Sequence, residues 1–182
     1  MSNFTFVQKV RNKIRVDKST KLKLATNIKL VGCRITIKGL NNKLELEEGV
    51  KIHRSNIEIM GNNCSVKIGK NSMIGDDCYL MVKEEKINLM IGESCGLSRN
   101  VKMMASDGHP IYQNGVRINE AQDIILGDNI WIADNVTILK GVEIASGAVV
   151  GINSMVTKSI PSHTIVAGNP ARVVKEGINW EP

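Results

Sequence analysis

Side chains able to do acid–base, nucleophilic or metal chemistry are few among these 182 residues. Histidine occurs as His53, His109 and His163, and no two lie within a few residues of one another. No zinc-ligand spacing is formed, and no metal is expected. His53 and His163 stand outside any motif and read as ordinary turn or surface histidines. His109 is different. It sits between Gly108 and Pro110 in a long polar stretch. An imidazole there, ordinarily titrating near ~6.5, is suited to accept a proton at neutral pH. Asp107 precedes it by two and is a candidate to orient the ring. A Ser-Asp-Gly turn has its own local reason for an aspartate, however. Cys33, Cys64, Cys78 and Cys95 are irregularly spaced, without a CxxC pair. They read as small buried residues of a reduced, cytoplasmic protein. The chain carries no Gly-rich phosphate loop, zincin motif or Ser-centred elbow.

What positions these groups is a repeat of six residues. From Leu126 the chain reads LGDNIW, IADNVT, ILKGVE, IASGAV, VGINSM, VTKSIP. First positions are aliphatic throughout, and fifth positions are mostly apolar, so apolar residues alternate by four and two. That is neither the helical period nor simple strand alternation. Fourth positions are Asn129, Asn135, Gly141, Gly147, Asn153 and Ser159. Asn and Gly best tolerate positive φ, so each hexad reads as a short strand and one corner. Sets such as Val136-Thr137-Ile138 and Val142-Glu143-Ile144 then point in, out, in. Three hexads close one triangular turn, and each turn buries the next.

The same frame runs upstream with interruptions, through hexads beginning at Leu46, Ile68, Ile74, Ile91 and Leu97. Cys78 and Cys95 fall at inward fifth positions. The stretch 82–88 breaks the frame and reads as a small bulge or loop. The polar stretch 105–123 is longer, and a loop of that length in a regular scaffold is usually functional. The expected organisation is a capping segment over 1–21, a parallel β-helix over 22–165 with the protruding loop 105–123, and a tail over 166–182.

Composition agrees with a narrow aliphatic prism: hydrophobic residues make up 42%, yet there are only two Phe, two Tyr and two Trp. The formal charge of +6 favours an anionic ligand or acceptor, which a basic soluble surface would equally produce. No nucleic-acid-binding motif and no membrane-spanning or signal segment is present, so neither partner is expected.

The hexads, the segment SDGHPIY (106–112), LGDNIWIADNVTILKGVEI and TIVAGNPARVV (164–174) together resemble the hexapeptide-repeat acyltransferases. The nearest resemblance is to sugar O-acetyltransferases of the galactoside, maltose and capsular-polysaccharide types, polysialic acid included. It covers about 57–180 well and the first fifty residues poorly. The resemblance implies an all-β fold, a left-handed parallel β-helix. It also implies a homotrimer with sites between subunits, acetyl-CoA as co-substrate, and a hydroxyl of a sugar or polysaccharide as acceptor. An amino-sugar or xenobiotic acceptor on the same fold is the first alternative; a non-catalytic assembly module is the second.

On the same ground His109 matches the catalytic general base and Trp131 a tryptophan of the active-site cleft. Trp131 is the middle residue of the triplet Ile130-Trp131-Ile132, so it points out of the prism. A bare Trp on a flat face calls for a cover; a purely structural subunit contact is the competing reading. The positions matching the CoA contacts are Thr157, Lys158, Arg172 and Lys175, with Ala133 and Gly151 as backbone contacts. Where several relatives carry a small polar residue this chain has Ala133-Asp134, and an anionic Asp134 beside CoA would be unfavourable.

Overall fold

The computed structural model describes residues 3–181. A six-residue helix, Phe6–Arg11, opens the chain. The rest winds into seven turns of a parallel β-helix with three faces. Face one holds seven strands, from Lys13–Val16 to Met155–Val156; face two holds six, from Lys21–Leu24 to Glu143–Ile144. Face three holds eight, from Lys29–Val31 to Thr164–Ala167 and then Arg172–Glu176, which returns antiparallel to its neighbour. The first strand of the stack begins at Lys13, inside the stretch 1–21 read as a cap. Only the helix and the residues before it precede the first turn.

Inward side chains form continuous columns across the turns. Ile35, Ile57, Leu80, Met103, Ile138 and Val156 stack on face one, and Leu30, Ile52, Ile74, Leu97, Ile132 and Val150 on face three, almost all below 5% exposed. Each such side chain stabilises the stack by about 1.5–3 kcal/mol relative to exposure. Ile138 and Val142 point in while Glu143 is exposed, as the hexad frame requires. The four cysteines are free and buried, with their thiols pushed up by desolvation, Cys95 to about 11. Buried polar side chains at the corners bridge turns. Ser72 donates to Gly92 O and accepts from Cys95 N, and Asn42 does the same with Gly61 O and Cys64 N.

Turn length decides where the repeat is visible. Below the loop one turn takes 18 residues, three hexads, as the contact of Ser146 with Asp128 shows. Above it a turn takes 21 to 23, because face-one strands there run to five and seven residues instead of two or three. Five of the six fourth positions have positive φ: Asn129, Asn135, Gly141, Gly147 and Asn153. Ser159 does not share it. The stretch 82–88 is no loop. Tyr79–Glu85 is one seven-residue strand with a kink at Glu84 (φ 80), and the next strand starts at Asn88.

Candidate active site

The stretch 105–123 leaves face one after Met104 and rejoins face two at Ile124. Between them a short hairpin pairs Tyr112–Gln113 with Val116–Arg117. Asn114-Gly115, both at positive φ, makes its turn. Gly108 also has positive φ, 83°, which a side chain in that place would oppose.

The loop is fixed by a polar core that local sequence did not announce. Asn119, 7% exposed, donates to Asp107 Oδ2 at 2.9 Å and to the carbonyl of His109 at 2.8 Å, and its Oδ1 accepts from Ile111 N at 2.6 Å. Lys140, from the following turn, donates to Asp107 Oδ2 at 2.5 Å and to Asn119 O. Glu84, at the kink, accepts from Arg117 Nη2 at 2.7 Å and from Ser106 Oγ at 2.9 Å. The ammonium of Lys140 holds the Asp107 carboxyl below its ordinary range, and the Arg117 guanidinium does so for Glu84. Asp107 therefore acts on the main chain that carries His109, through Asn119, and not on the ring. The imidazole itself is exposed and has no hydrogen-bond partner among the described residues.

A second centre lies on face three, where a cleft of about 750 Å³ includes His53, Met73, Asp76, Ser98, Trp131 and Trp180 in its lining. Trp131 points outward, 43% exposed, and its Nε1 donates to Ser98 Oγ at 3.3 Å. Trp180 folds back from the tail: the two ring centroids are 6.1 Å apart, and Trp180 Nε1 donates to Asn129 O. Two buried atoms here, Nε2 of His53 and Oδ1 of Asp76, have no hydrogen-bond partner among the described residues. Asp134 accepts from Arg99 main-chain N, Nε and Nη2, which lowers its pKa and cancels its charge beside the cleft.

Small residues follow one another along the edge from face three to face one: Gly75, Ser98, Ala133, Gly151 and Ala167. A Cβ on Gly151 would meet that of Ala167 at 3.0 Å, so the glycine keeps this edge smooth. Lys158 and Arg172 share a smaller cleft of about 240 Å³ at the C-terminal end of the prism. Thr157 and Lys175 are exposed nearby in sequence but do not line it. Nor does any residue of 105–123 line the face-three cleft. One chain thus presents His109 and Trp131 on different faces. Among the described residues no cluster of three His, Cys, Asp or Glu could hold a metal.

Such a prism, with one anchored His-bearing loop and a Trp-lined cleft, defines the β-helical acyltransferase class. No family model matches the chain. The crystal structure of the polySia-specific acetyltransferase NeuO superposes with a TM-score of 0.71 at 32% identity, covering 91% of this chain and 90% of that one. The polysialic acid O-acetyltransferase of Escherichia coli O1:K1 / APEC is 38% identical over 138 residues, 72% of this chain and 44% of its own length. The polysialic acid O-acetyltransferase of Neisseria meningitidis is 34% identical over 120 residues, 54% of this chain and 56% of its own length. The chain spans about half the length of these curated relatives. It belongs to the hexapeptide-repeat acyltransferases.

Proposed function

We propose that the protein is a cytoplasmic O-acetyltransferase that moves acetyl from acetyl-CoA to a sugar hydroxyl of an acidic surface polysaccharide, of the polysialic acid type. The observation that carries this reading is the pair of half-sites just described, set in a chain 32% identical to a polySia-specific acetyltransferase across nearly its whole length. Because His109 and Trp131 lie on different faces, the complete site forms between copies. A cyclic homotrimer, in which the loop of one subunit meets the cleft of the next, closes this contact symmetrically.

In that site the His109 imidazole takes the proton of the sugar hydroxyl as the oxygen attacks the thioester carbonyl. A main-chain N–H or the Trp131 indole N–H stabilises the oxyanion. Collapse breaks the C–S bond, and the imidazolium returns its proton to the departing thiolate, so the products are an O-acetyl sugar and free CoA. The smooth edge through Ala133 and Gly151 suits the pantetheine arm, and Lys158 and Arg172 suit its phosphates, with Thr157 and Lys175 nearby. Asp134, neutralised by Arg99, does not oppose an anion there.

The test is free-CoA release with acetyl-CoA and a panel of sialylated, neutral and amino-sugar acceptors, for wild type and His109→Ala. Removing the base should lower turnover by about two to four orders of magnitude with acetyl-CoA affinity little changed. Near wild-type turnover in His109→Ala would sink the mechanism, and release with amino sugars alone would sink the acceptor assignment.

A further inference from the structure

The charge of the chain is divided sharply along the prism. Residues 1–54 carry thirteen Lys and Arg against four Asp and Glu, a formal +9; residues 55–182 carry eleven against fourteen, a formal −3. The excess basic charge therefore belongs to the first turns.

Within those turns the faces differ. On face two, Lys23 and Lys43 both pair with Glu45. On face one, Lys13 stands directly over Arg34 in register, Arg15 over Thr36, and Lys38 lies further along. Among the described residues none of these four cations forms an ion pair. Two acids lie in that register: Asp17, which follows Val16 opposite Lys38 and accepts from Gly39 N at 2.9 Å, and Glu58 beside Thr36, which accepts from the Tyr79 hydroxyl at 2.7 Å and meets Lys83 at 3.7 Å. Like charges set opposite one another across strands destabilise a sheet. The uncompensated stack surrounds a hollow of about 430 Å³ lined by Lys13, Ile14, Arg15, Arg34 and Thr36, which adjoins another of about 310 Å³ that adds Arg11.

We propose that this face-one patch, Lys13, Arg15, Arg34 and Lys38 with Arg11 beside it, is a secondary binding site for an acidic polysaccharide, holding a stretch of the polymer remote from the sugar being acetylated. The proposal rests on the acceptor class argued above. Its geometry is favourable: the same sheet that carries the patch launches the His109 loop. Four strand steps of about 4.8 Å separate Lys13–Val16 from Lys102–Met104, roughly 19 Å in all. A polymer lying across those strands reaches both, whereas a short oligomer reaches one. The chemistry selects among polyanions. In residues 3–54 the aromatic side chains are the buried Phe4 and the exposed Phe6, and one ring is no platform for stacking successive unpaired bases. Thr36 and Asn56 lie among the cations on the sheet, and the exposed Phe6, Val7 and Val10 are confined to the helix beside it, so a lipid surface is the competing partner that the vesicle measurement below separates from the polymer.

Binding is measured on the full chain carrying His109→Ala, so that occupancy is scored without turnover, using polysialic acid of graded length. The patch variant Lys13→Gln/Arg15→Gln/Arg34→Gln is compared with Lys21→Gln/Lys70→Gln/Lys86→Gln, which loses equal charge elsewhere. Long polymer should bind the patch variant about tenfold more weakly, with a shallower salt dependence, and the control nearly as well as the parent. Short oligomers should not distinguish them. In the His109-intact enzyme the same substitutions should raise KM for polymer and leave kcat and the KM of short acceptors alone. Arg34→Gln alone, with folding checked by circular dichroism, should give about a two- to threefold loss if the triple variant misfolds.

Equal polymer binding by patch variant and parent would overturn the proposal. So would binding of single-stranded DNA or phosphatidylserine vesicles without binding of the polymer. Patch-dependent polymer binding by a protein that acetylates no sialylated acceptor would leave this site standing and remove the proposed function instead.

Discussion

The turns before the loop and the turns after it obey the same core rule with different tolerances. Before it, a turn takes 21 to 23 residues, its face-one strands run to seven residues, and its surface is cationic. After it, turns take 18 and finally 16 residues, most strands shrink to two or three, and five of the six hexad corners are an Asn or Gly at positive φ. Both regions keep a dry aliphatic column inside. The difference lies in the strands of the first two faces: the wide turns place their extra residues there, and the tight turns keep strands of two or three. Tightness gives the lower turns a regular outer surface, against which an edge groove and a docked tryptophan can be held.

The strongest way to break this comparison is to disturb the columns themselves. Ile144→Asp places an unpaired charge between tight turns and should abolish soluble folded protein, since breaking such packing costs several kcal/mol. A folded Ile144→Asp protein, judged by circular dichroism and gel filtration, would mean that the register is wrong.

A smaller effect sharpens the comparison at the junction of the two regions. Asn119→Ala removes four hydrogen bonds from the loop core, the longest being that from Arg117 Nε, and each buried partner left alone costs about 1–3 kcal/mol. Because the loop adds only the small side chains of Ala105 and Ala121 to the apolar core, and neither is altered, thermal stability should fall little. Turnover should fall about ten- to hundredfold through misplacement of His109. A large loss of Tm with normal turnover would show that the loop braces the prism rather than the base.

Arg172→Ala comes next. It should raise KM for acetyl-CoA several-fold and spare kcat at saturation, as expected when uniform binding is lost. A fall in kcat with KM unchanged would move Arg172 out of the cofactor end.

The mildest test is pH. Asp107 and Glu84 have folded pKa values below their unfolded ones, chiefly through Lys140 and Arg117. Their contribution to loop anchorage is therefore complete above the ordinary carboxylate range, about 4, and is lost as pH falls through the depressed values. Hydrogen exchange in 105–123 should be level from pH 7 to pH 5 and rise only in stronger acid. Loosening between pH 7 and pH 5 would place the anchor in other groups.

Legibility in the sequence followed physical locality. Asn129, Asn135 and Asn153 declared their corners because positive φ narrows the choice of residue. The wide turns hid theirs, since strand length varies there and the hexad frame is lost. Of the site, Gly108-His109-Pro110 and the outward Trp131 were readable. The anchors of the loop were not: Glu84 meets Arg117 across 33 residues, and Lys140 meets Asp107 across the same distance. Trp180 reaches Asn129 across 51 residues, and nothing in the tail announces where it docks.

The two ends of the stack carry a consequence of their own. A column of parallel strands is a template, and an uncovered terminal edge invites another chain to continue it. Here the last strand, Arg172–Glu176, runs backwards against Thr164–Ala167, so the outermost strand of face three breaks the parallel order. At the other end Asn12 donates to Leu30 O and fills the place of a neighbouring peptide at Cys33 N, beneath a helix closed by a Thr5–Gln8 capping box. These two stops let a fold whose logic is indefinite extension end as a finite particle instead of growing into a fibre.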